Sequence, residues 1–206
     1  MIGLATLSWE EQAAVDTEAV RLHRGDPQAM VSLLERYQHR LYRFLVRMVH
    51  EPATAEDLFQ QTWLRVAENA KRFDPSRGFE PWLFSIARNL TMDYFRRVRP
   101  ESLDEQLPSG DSRAETLPAM QMSAVEILMR EQRTNRLAQA MSELGPIYCE
   151  VLTLRFEEEM KLEEIAEVLN VPLPTVKTRL RRALEAMRVK LEHRLPGGEL
   201  PGWGPQ

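Results

Sequence analysis

Residues 161–183, KLEEIAEVLNVPLPTVKTRLRRA, contain two helical patterns separated by a break of a few residues. In the first pattern Leu162, Ile165 and Leu169 recur at helical spacing, which predicts a single apolar face. Asn170 tolerates the left-handed backbone of a tight turn, and the prolines that follow it stop the first helix before the second begins. The segment therefore predicts a helix-turn-helix.

One side of the second helix is strongly basic. Residues 173–194 contain seven Lys or Arg against two Glu, although the whole chain has a formal net charge of −4. A basic helix after such a turn suits the major groove of DNA, whereas the alternative is a solvated basic helix in an ordinary bundle. The expected inward positions are Val176, Leu180, Ala183 and Met187, and the expected outward positions are Lys177, Thr178, Arg181 and Arg182.

The composition limits the classes of protein to which the chain can belong. With 206 residues, of which 43% are hydrophobic and 28% charged, it can bury one or two modest cores of about 80 to 100 residues. No apolar run approaches the ~18 residues of a membrane-spanning helix, and the N-terminus lacks the pattern of a signal peptide. We therefore expect a cytoplasmic protein without membrane insertion.

Side chains suited to catalysis or metal binding are scarce. Cys149 is the only cysteine, and one thiol can form neither a disulfide within the chain nor a zinc site, so we expect it to be buried and structural. The four histidines are scattered, and there is no glycine-rich phosphate loop. We predict no catalytic residue, no metal site and no cofactor.

Apolar residues recur at intervals of three and four along the chain rather than at two, which predicts an all-α fold. Capping residues, prolines and glycines mark the helix ends. The predicted helices before the helix-turn-helix span residues 8–24, 27–50, 52–73, 79–98, 125–142 and 146–158.

Residues 100–124 differ from the rest of the chain, because Pro, Gly and Ser are frequent there and large apolar residues are few. Between residues 100 and 126 six acidic residues stand against one arginine, and self-repulsion extends such a segment. We predict a flexible acidic linker at 100–124 between two small helical domains, 1–99 and 125–194, followed by a disordered tail at 195–206.

The predicted helix at 79–98 combines aromatic side chains with arginines. After one apolar stripe is assigned to the core, three aromatic residues are not part of it: Trp82, Phe84 and Phe95. The segment also carries several arginines near its end. Aromatic rings and cations together suit single-stranded nucleic acid, whose bases stack on the rings. The alternative is that these rings simply cover the core.

Three groups of residues resemble a known family when they are taken in order. They are Asp57-Leu58-Phe59-Gln60-Gln61; then Trp82-Leu83, Ile86-Ala87-Arg88-Asn89 and Asp93-Tyr94-Phe95-Arg96-Arg97; and finally Glu164-Ile165-Ala166 with Thr175-Val176-Lys177-Thr178-Arg179-Leu180. Together they are similar to the group IV, or extracytoplasmic-function (ECF), sigma factors of bacterial RNA polymerase. The resemblance covers about residues 20–99 (sigma region 2) and 125–193 (sigma region 4).

The resemblance implies a role for each region. Contact with the coiled coil of the polymerase β′ subunit is implied for Asp57, Gln60 and Gln61. The loop 71–79 is implied to capture a flipped base when the −10 element melts. Contacts with the melted DNA strand are implied for Arg77, Phe79, Trp82, Arg88, Asn89, Arg96 and Arg97. Recognition of the −35 element is implied for Thr175, Lys177, Thr178, Arg181 and Arg182.

The resemblance also implies partners. These are core RNA polymerase through its β′ and β subunits, promoter DNA, and an anti-sigma factor that holds the chain inactive, often at the inner membrane. Three positions depart from the family pattern, because Gln61 replaces an acid, Pro172 replaces a capping Ser and Pro174 replaces a Gly. Loss of the cap predicts a weaker helix start by about 1 kcal/mol.

Two other functions compete with this reading. An autonomous regulator that dimerises through residues 1–99 would bind a palindromic operator without polymerase, with half-sites one helical turn apart. A helical enzyme or ligand-binding bundle would need catalytic or ligand-binding residues, which we do not find.

Overall fold

A computed structural model of the chain describes residues 9–75, 77–98, 137 and 139–192. Every regular element in these residues is helical, which confirms the all-α prediction. The helices are α1 (Trp9–His23), α2 (Pro27–Val49), α3 (Pro52–Asn69), α4 (Phe79–Val98), α5 (Pro146–Leu152), α6 (Leu162–Leu169) and α7 (Leu173–Glu192). The predicted linker at 100–124, the tail at 195–206 and most of the predicted helix at 125–142 lie outside the described residues.

The turn between α1 and α2 forms as its sequence predicts. Gly25 has a φ of 86°, a left-handed conformation that glycine adopts without a steric penalty. The carboxylate of Asp26 accepts a hydrogen bond from the backbone N–H of Gln28 at 2.9 Å, and Pro27 opens the helix where no N–H is required. Helix α2 is capped at its C-terminal end by His50, whose left-handed backbone has a φ of 58°.

Helix α4 is buried on more than one side. Phe84 is fully buried and packs edge-to-face on Phe44 with ring centroids 5.3 Å apart, while Phe95 is 8% exposed. The expectation that these two rings are spare for nucleic acid is therefore wrong. The physical reason is that α4 contacts α2, α3 and α6, so that its apolar surface is wider than one stripe.

The helix-turn-helix at residues 162–192 is confirmed. Asn170 lies in the left-handed region with a φ of 50°, and its N–H closes the end of α6. Pro174 is the second residue of α7, where its missing N–H has no intrahelical partner to lose. The backbone N–H groups of Thr175 and Val176 both donate to the carbonyl of Pro172, at 2.8 and 3.2 Å. The two prolines are thus compatible with a helix that continues to Glu192.

The predicted helix at 146–158 changes type before its end. Helix α5 continues into a π-helical turn at Thr153–Glu157, and the N–H of Glu158 donates to the carbonyl of Thr153 at 3.0 Å. Glu159 then adopts a left-handed backbone with a φ of 55°, which turns the chain toward α6. The acidic residues at the end of this segment consequently face α2.

The helices on either side of the predicted linker pack together. Helix α4 lies against α6, and α2 lies against α5. Buried apolar residues from both halves form one cluster, which contains Leu41 and Leu83 on one side and Leu154 and Ile165 on the other. The domain boundaries stay predictions, but in this conformation the two halves, residues 9–98 and 139–192, are in direct contact.

Replacement of Phe84 by Ala should lower the free energy of unfolding by about 3–5 kcal/mol, because it leaves a cavity beside Phe44. Urea unfolding followed by circular dichroism measures this loss. Val98→Ala, in the same helix but 56% exposed, is the matched control and should cost less than about 0.5 kcal/mol. Equal losses in the two variants would contradict the packing described for α4.

Candidate nucleic-acid interface

The polar side of α3 is exposed at each of the positions for which polymerase contact is expected. Asp57, Gln60 and Gln61 all face solvent, while Leu58 and Trp63 on the other side are buried. Helical spacing brings Asp57 next to Gln60 and Gln61 on one face. The structure thus brings these three residues together as one surface.

A groove of about 250 Å³ runs between this surface and the end of α4. It brings one expected strand contact, Arg97, beside two expected polymerase contacts, Asp57 and Gln61. The lining residues are Thr54, Asp57, Leu58, Gln61, Tyr94, Arg97 and Val98. The polar side of α3 and the basic end of α4 are therefore neighbouring parts of one exposed region.

The loop before α4 is built on three aromatic rings. Phe73, Phe79 and Trp82 pack together with ring centroids 4.8 to 5.9 Å apart. Phe79 is fully buried and cannot stack on a base in this conformation, so its expected strand contact is corrected to a core role. Trp82 is half-buried, and the exposed Arg77 side chain stands at the rim of the loop.

Three of the expected strand contacts lie at the surface of α4. Asn89, Arg96 and Arg97 are exposed. The guanidinium of Arg96 binds the carboxylate of Asp93 at 2.8 Å, and Arg97 Nε donates to the carbonyl of the same residue at 3.2 Å. Because these contacts are exposed, the two arginines can exchange them for phosphates at little cost.

Arg88, by contrast, is engaged by the other half of the molecule. Its Nε–H donates to Glu150 Oε2 at 3.0 Å, and the Arg88 side chain is 17% exposed while that of Glu150 is fully buried. Arg179 Nη1 lies 3.5 Å from the other oxygen of Glu150. Burial raises the pKa of Glu150, and the charges of Arg88 and Arg179 only partly oppose this effect.

Two further ion pairs join the same halves. Arg40 Nε donates to Glu158 Oε2 at 2.8 Å, and Arg47 lies 2.9 Å from Glu157. Burial raises the pKa of Glu158 as well, although the charge of Arg40 opposes the effect. We call the three pairs Arg40–Glu158, Arg47–Glu157 and Arg88–Glu150 the arginine–carboxylate seam.

Sequence reasoning missed the acidic side of this seam. Glu150 is fully buried and Glu158 is 4% exposed, and neither was predicted to pair with a distant arginine. The available signal was local, since Glu150 lies in the apolar run Cys149–Leu152, where a solvated carboxylate is out of place. Arg179 was also missed as a partner of Glu150.

The second helix of the helix-turn-helix presents its expected face. Val176 and Ala183 are fully buried, and Lys177 and Thr178 are exposed. The hydroxyl of Thr178 donates to the carbonyl of Pro174 at 3.0 Å. The remaining expected contacts are half-buried, and these are Thr175, Arg181 and Arg182.

The thiol of Cys149 is buried, as expected, and lies where the two halves meet. Its Sγ donates a weak hydrogen bond to the backbone carbonyl of Arg47 at 3.5 Å. Burial raises the pKa of Cys149 to about 11, although a hydrogen bond with Thr153 opposes the effect. Within the described ranges, side chains suited to metal binding do not cluster, and every helix is too short or too polar to span a bilayer.

The sequence of this chain matches two known family models and several known proteins. Two family models match in chain order, sigma-70 region 2 at residues 33–101 and sigma-70 region 4 at residues 134–187. The ECF RNA polymerase sigma factor SigW of Bacillus subtilis is 32% identical over 174 residues, which are 83% of this chain and 93% of that protein.

Solved structures show the same fold. The structure of CnrH in complex with the cytosolic domain of CnrY has a TM-score of 0.63 at 21% identity, and the match covers 88% of this chain and 99% of that chain. The sigma factor RpoE in complex with the anti-sigma factor NepR from Bartonella quintana has a TM-score of 0.57 at 21% identity, with coverages of 78% and 94%.

The stability that Glu150 contributes should depend on pH. Because burial raises the pKa of Glu150 above its ordinary value of 4.5, the folded chain binds this proton more tightly than the unfolded chain. The contribution is therefore fully present below about pH 4.5 and is lost as the pH rises through the raised pKa. In urea unfolding from about pH 4 to about pH 8, wild type should lose stability relative to the Glu150→Gln variant.

Glu163→Gln is the control, because Glu163 is an exposed carboxylate on the neighbouring helix α6. Its stability difference from wild type should stay nearly constant over the same pH range. A wild-type advantage over Glu150→Gln that grows with pH would contradict a raised pKa at this site.

Proposed function

We propose a division of labour among these surfaces, on the premise that the chain belongs to the ECF sigma factors of the sigma-70 family. A sigma factor binds core RNA polymerase and directs promoter-specific initiation. Catalysis stays with the polymerase, so this chain catalyses nothing itself. The observation that carries the proposal is the order of a polar α3 face, an arginine-bearing α4 and a basic α7 face along one all-α chain.

The polar side of α3 binds the polymerase. Asp57, Gln60 and Gln61 are exposed and carry hydrogen-bonding groups on short side chains, which suit a helical partner such as the β′ coiled coil. Leu64, on the same helix, is 64% exposed and adds an apolar contact to this surface. The groove toward α4 lies beside it.

The loop before α4 and the exposed side of α4 hold the melted −10 strand. Trp82 offers a half-buried ring for stacking, and Asn89, Arg96 and Arg97 offer polar and cationic contacts along the helix. Stacking and phosphate contacts together offset the cost of unstacking a base, which is a few kcal/mol. Arg88 joins this set only when it leaves Glu150.

The exposed face of α7 reads the −35 element. Lys177 and Thr178 stand over a buried stripe and lie within the first two turns of the helix, the part that enters the major groove in helix-turn-helix proteins. Thr175, Arg181 and Arg182 flank them and contact bases or phosphates. The chain thereby reads two promoter elements with its two helical halves.

An anti-sigma factor regulates the chain, and the complex resides in the cytoplasm or at the inner surface of the membrane. Two solved structures of the same fold contain a partner chain, namely the sigma factor RpoE with the anti-sigma factor NepR, and CnrH with the cytosolic domain of CnrY. This support comes from the fold that the chain shares with these proteins.

The first test is transcription with bacterial core RNA polymerase. Wild type should bind core and initiate from a promoter that core alone does not open. Asp57→Ala and Gln61→Ala should each weaken core binding about tenfold, since interface residues of this kind contribute about 1–2 kcal/mol. Glu68→Ala, on the exposed side of α3 about two turns away, is the matched control.

Two outcomes would contradict the proposal. Unchanged core binding in both variants would remove the α3 face from the interface. Tight, specific DNA binding by the chain without polymerase, together with a dimer in solution, would instead favour the autonomous regulator.

A second test concerns the −35 element. Lys177→Ala should reduce the affinity of the holoenzyme for a promoter with both elements by about tenfold, because one contact in the groove is worth about 1–3 kcal/mol. Core binding should not change. Arg188→Ala removes the same charge about three turns further along α7 and should have a smaller effect. Equal losses of core binding and promoter binding in Lys177→Ala would refute the division of labour.

A further inference from the structure

We propose that Glu80 is a positioning residue for capture of the melted −10 strand. Arg40 and Tyr37 of α2 hold its carboxylate and thereby fix the first turn of α4, from which Trp82 presents its ring. This role rests on the proposed function in one step, which is the assignment of Trp82 to the strand. The contacts of Glu80 that carry it all lie within residues 9–98.

Both carboxylate oxygens of Glu80 are bound by side chains of α2. Arg40 donates through Nη1 to Oε2 at 2.9 Å and through Nη2 to Oε1 at 2.5 Å, so that the guanidinium grips the carboxylate with two bonds. The hydroxyl of Tyr37 donates a longer bond to Oε2 at 3.3 Å. The side chain of Glu80 is 13% exposed and that of Arg40 is 22% exposed. A two-pronged contact of this kind fixes direction as well as distance.

Tyr37 also connects the ion pair to the aromatic rings at the start of α4. Its ring packs on Phe79 with centroids 5.6 Å apart, while its hydroxyl donates to Glu80, the next residue in the chain. The ring of Phe79 in turn lies 5.7 Å from that of Trp82, and the ring of Phe73 lies 4.8 Å from it. Helix α2 therefore holds two consecutive residues of α4, one through its ring and one through its charge, and the ring of Trp82 rests on the first of them.

The ion pair supplies a constraint that ring packing alone does not. Aromatic rings pack at many tilts and offsets, and the two rings beside Trp82 meet it at interplanar angles of 44° and 57°. Because Trp82 is only half-buried, the direction of its ring depends on the turn that carries it. A turn that is already ordered spares the binding of a base the entropy of ordering it. The contact between Glu80 and Arg40 therefore favours stacking of a base on Trp82.

Glu80 is the member of this arrangement that can be changed alone. Arg40 also binds Glu158 of the second half at 2.8 Å, and Tyr37 is fully buried in the core, so replacement of either disturbs more than α4. Replacement of Glu80 leaves the Arg40–Glu158 pair in place and releases the first turn of α4.

The rate at which the holoenzyme opens a promoter that core alone does not open tests this role. Permanganate reactivity of unpaired thymines in the −10 element measures opening, and the limiting rate at saturating holoenzyme separates opening from initial binding. Glu80→Gln should lower the limiting rate about tenfold, which corresponds to the loss of about one contact between a base and a ring. Core binding should stay at the wild-type level.

The limiting rate also separates positioning from a loss of stability. A variant that is merely less stable supplies less active protein, and still reaches the wild-type limiting rate at saturation. Glu35→Gln makes the same chemical change at an exposed carboxylate of α2. It is the matched control and should open the promoter at the wild-type rate.

Glu80→Asp distinguishes position from charge. An acidic residue in the first turn of a helix interacts favourably with the helix dipole, and Asp keeps that contribution. Its side chain is one methylene shorter, so it reaches Arg40 only if the turn moves toward α2. Glu80→Asp should therefore lower the limiting rate several-fold, although urea unfolding should show a smaller loss of stability than in Glu80→Gln. A wild-type limiting rate in Glu80→Asp, or in both variants, would overturn the positioning role.

A double variant tests whether Glu80 acts through Trp82. Trp82→Ala alone should slow opening, and addition of Glu80→Gln should slow it by less than about twofold more, because the effects of two residues that act as one unit do not add. A further loss of about tenfold would show that Glu80 acts by another route and would refute its positioning of Trp82. An unchanged rate in Trp82→Ala alone would instead contradict the assignment of Trp82 to the strand, and with it that part of the proposed function.

Discussion

The guanidinium of Arg40 joins three parts of the structure that are far apart in the chain. It donates to both oxygens of Glu80 at the start of α4, at 2.9 and 2.5 Å, and to Glu158 at 2.8 Å. It also lies over the rings of Tyr37 and Phe84, with centroid distances of 5.6 and 5.9 Å. The Arg40 side chain is 22% exposed, and its contacts fix the positions of α2, α4 and the second half relative to one another.

The position of α4 determines which groups are available for DNA. Glu80 ties its first turn to Arg40, and Arg88 ties its middle to Glu150, whereas Arg96 and Arg97 extend beyond the seam at its end. The basic residues of one helix thus fall into two classes, those held in the interface and those presented to solvent. The net charge summed over α4 cannot distinguish these two classes of arginine, because the sum treats every arginine as equally exposed.

Local signals in the sequence were sufficient for the helices and their ends. Gly25, Asp26 and Pro27 place one turn, Asn170 places another, and the structure confirms both. Exposure of Asp57 and Lys177 followed from helical periodicity in the same way. The predictions that were wrong, at Phe79, Phe84 and Phe95, share a cause. Periodicity identifies one buried side of a helix, and only the tertiary arrangement reveals how many neighbours cover it.

The ion pairs of the arginine–carboxylate seam could not be predicted from local sequence for the same reason. Arg88 and Glu150 are 62 positions apart and Arg40 and Glu158 are 118 apart, so that no window along the chain contains both partners. A carboxylate inside an apolar run hints at a buried partner but does not say which one. The exposure of single site residues can therefore be predicted from the sequence. Ion pairs between residues far apart in the chain cannot.

The π-helical turn at Thr153–Glu157 determines where the acidic residues after it point. Its hydrogen bonds span five residues instead of four, so it acts as one extra residue within a helix. Removal of one residue there would restore α-helical spacing and rotate the following side chains by about 100° around the axis. Glu157 and Glu158 would then turn away from Arg47 and Arg40. A related chain could keep every glutamate and still lack this interface, and the number of residues between α5 and α6, rather than their charge, would reveal it.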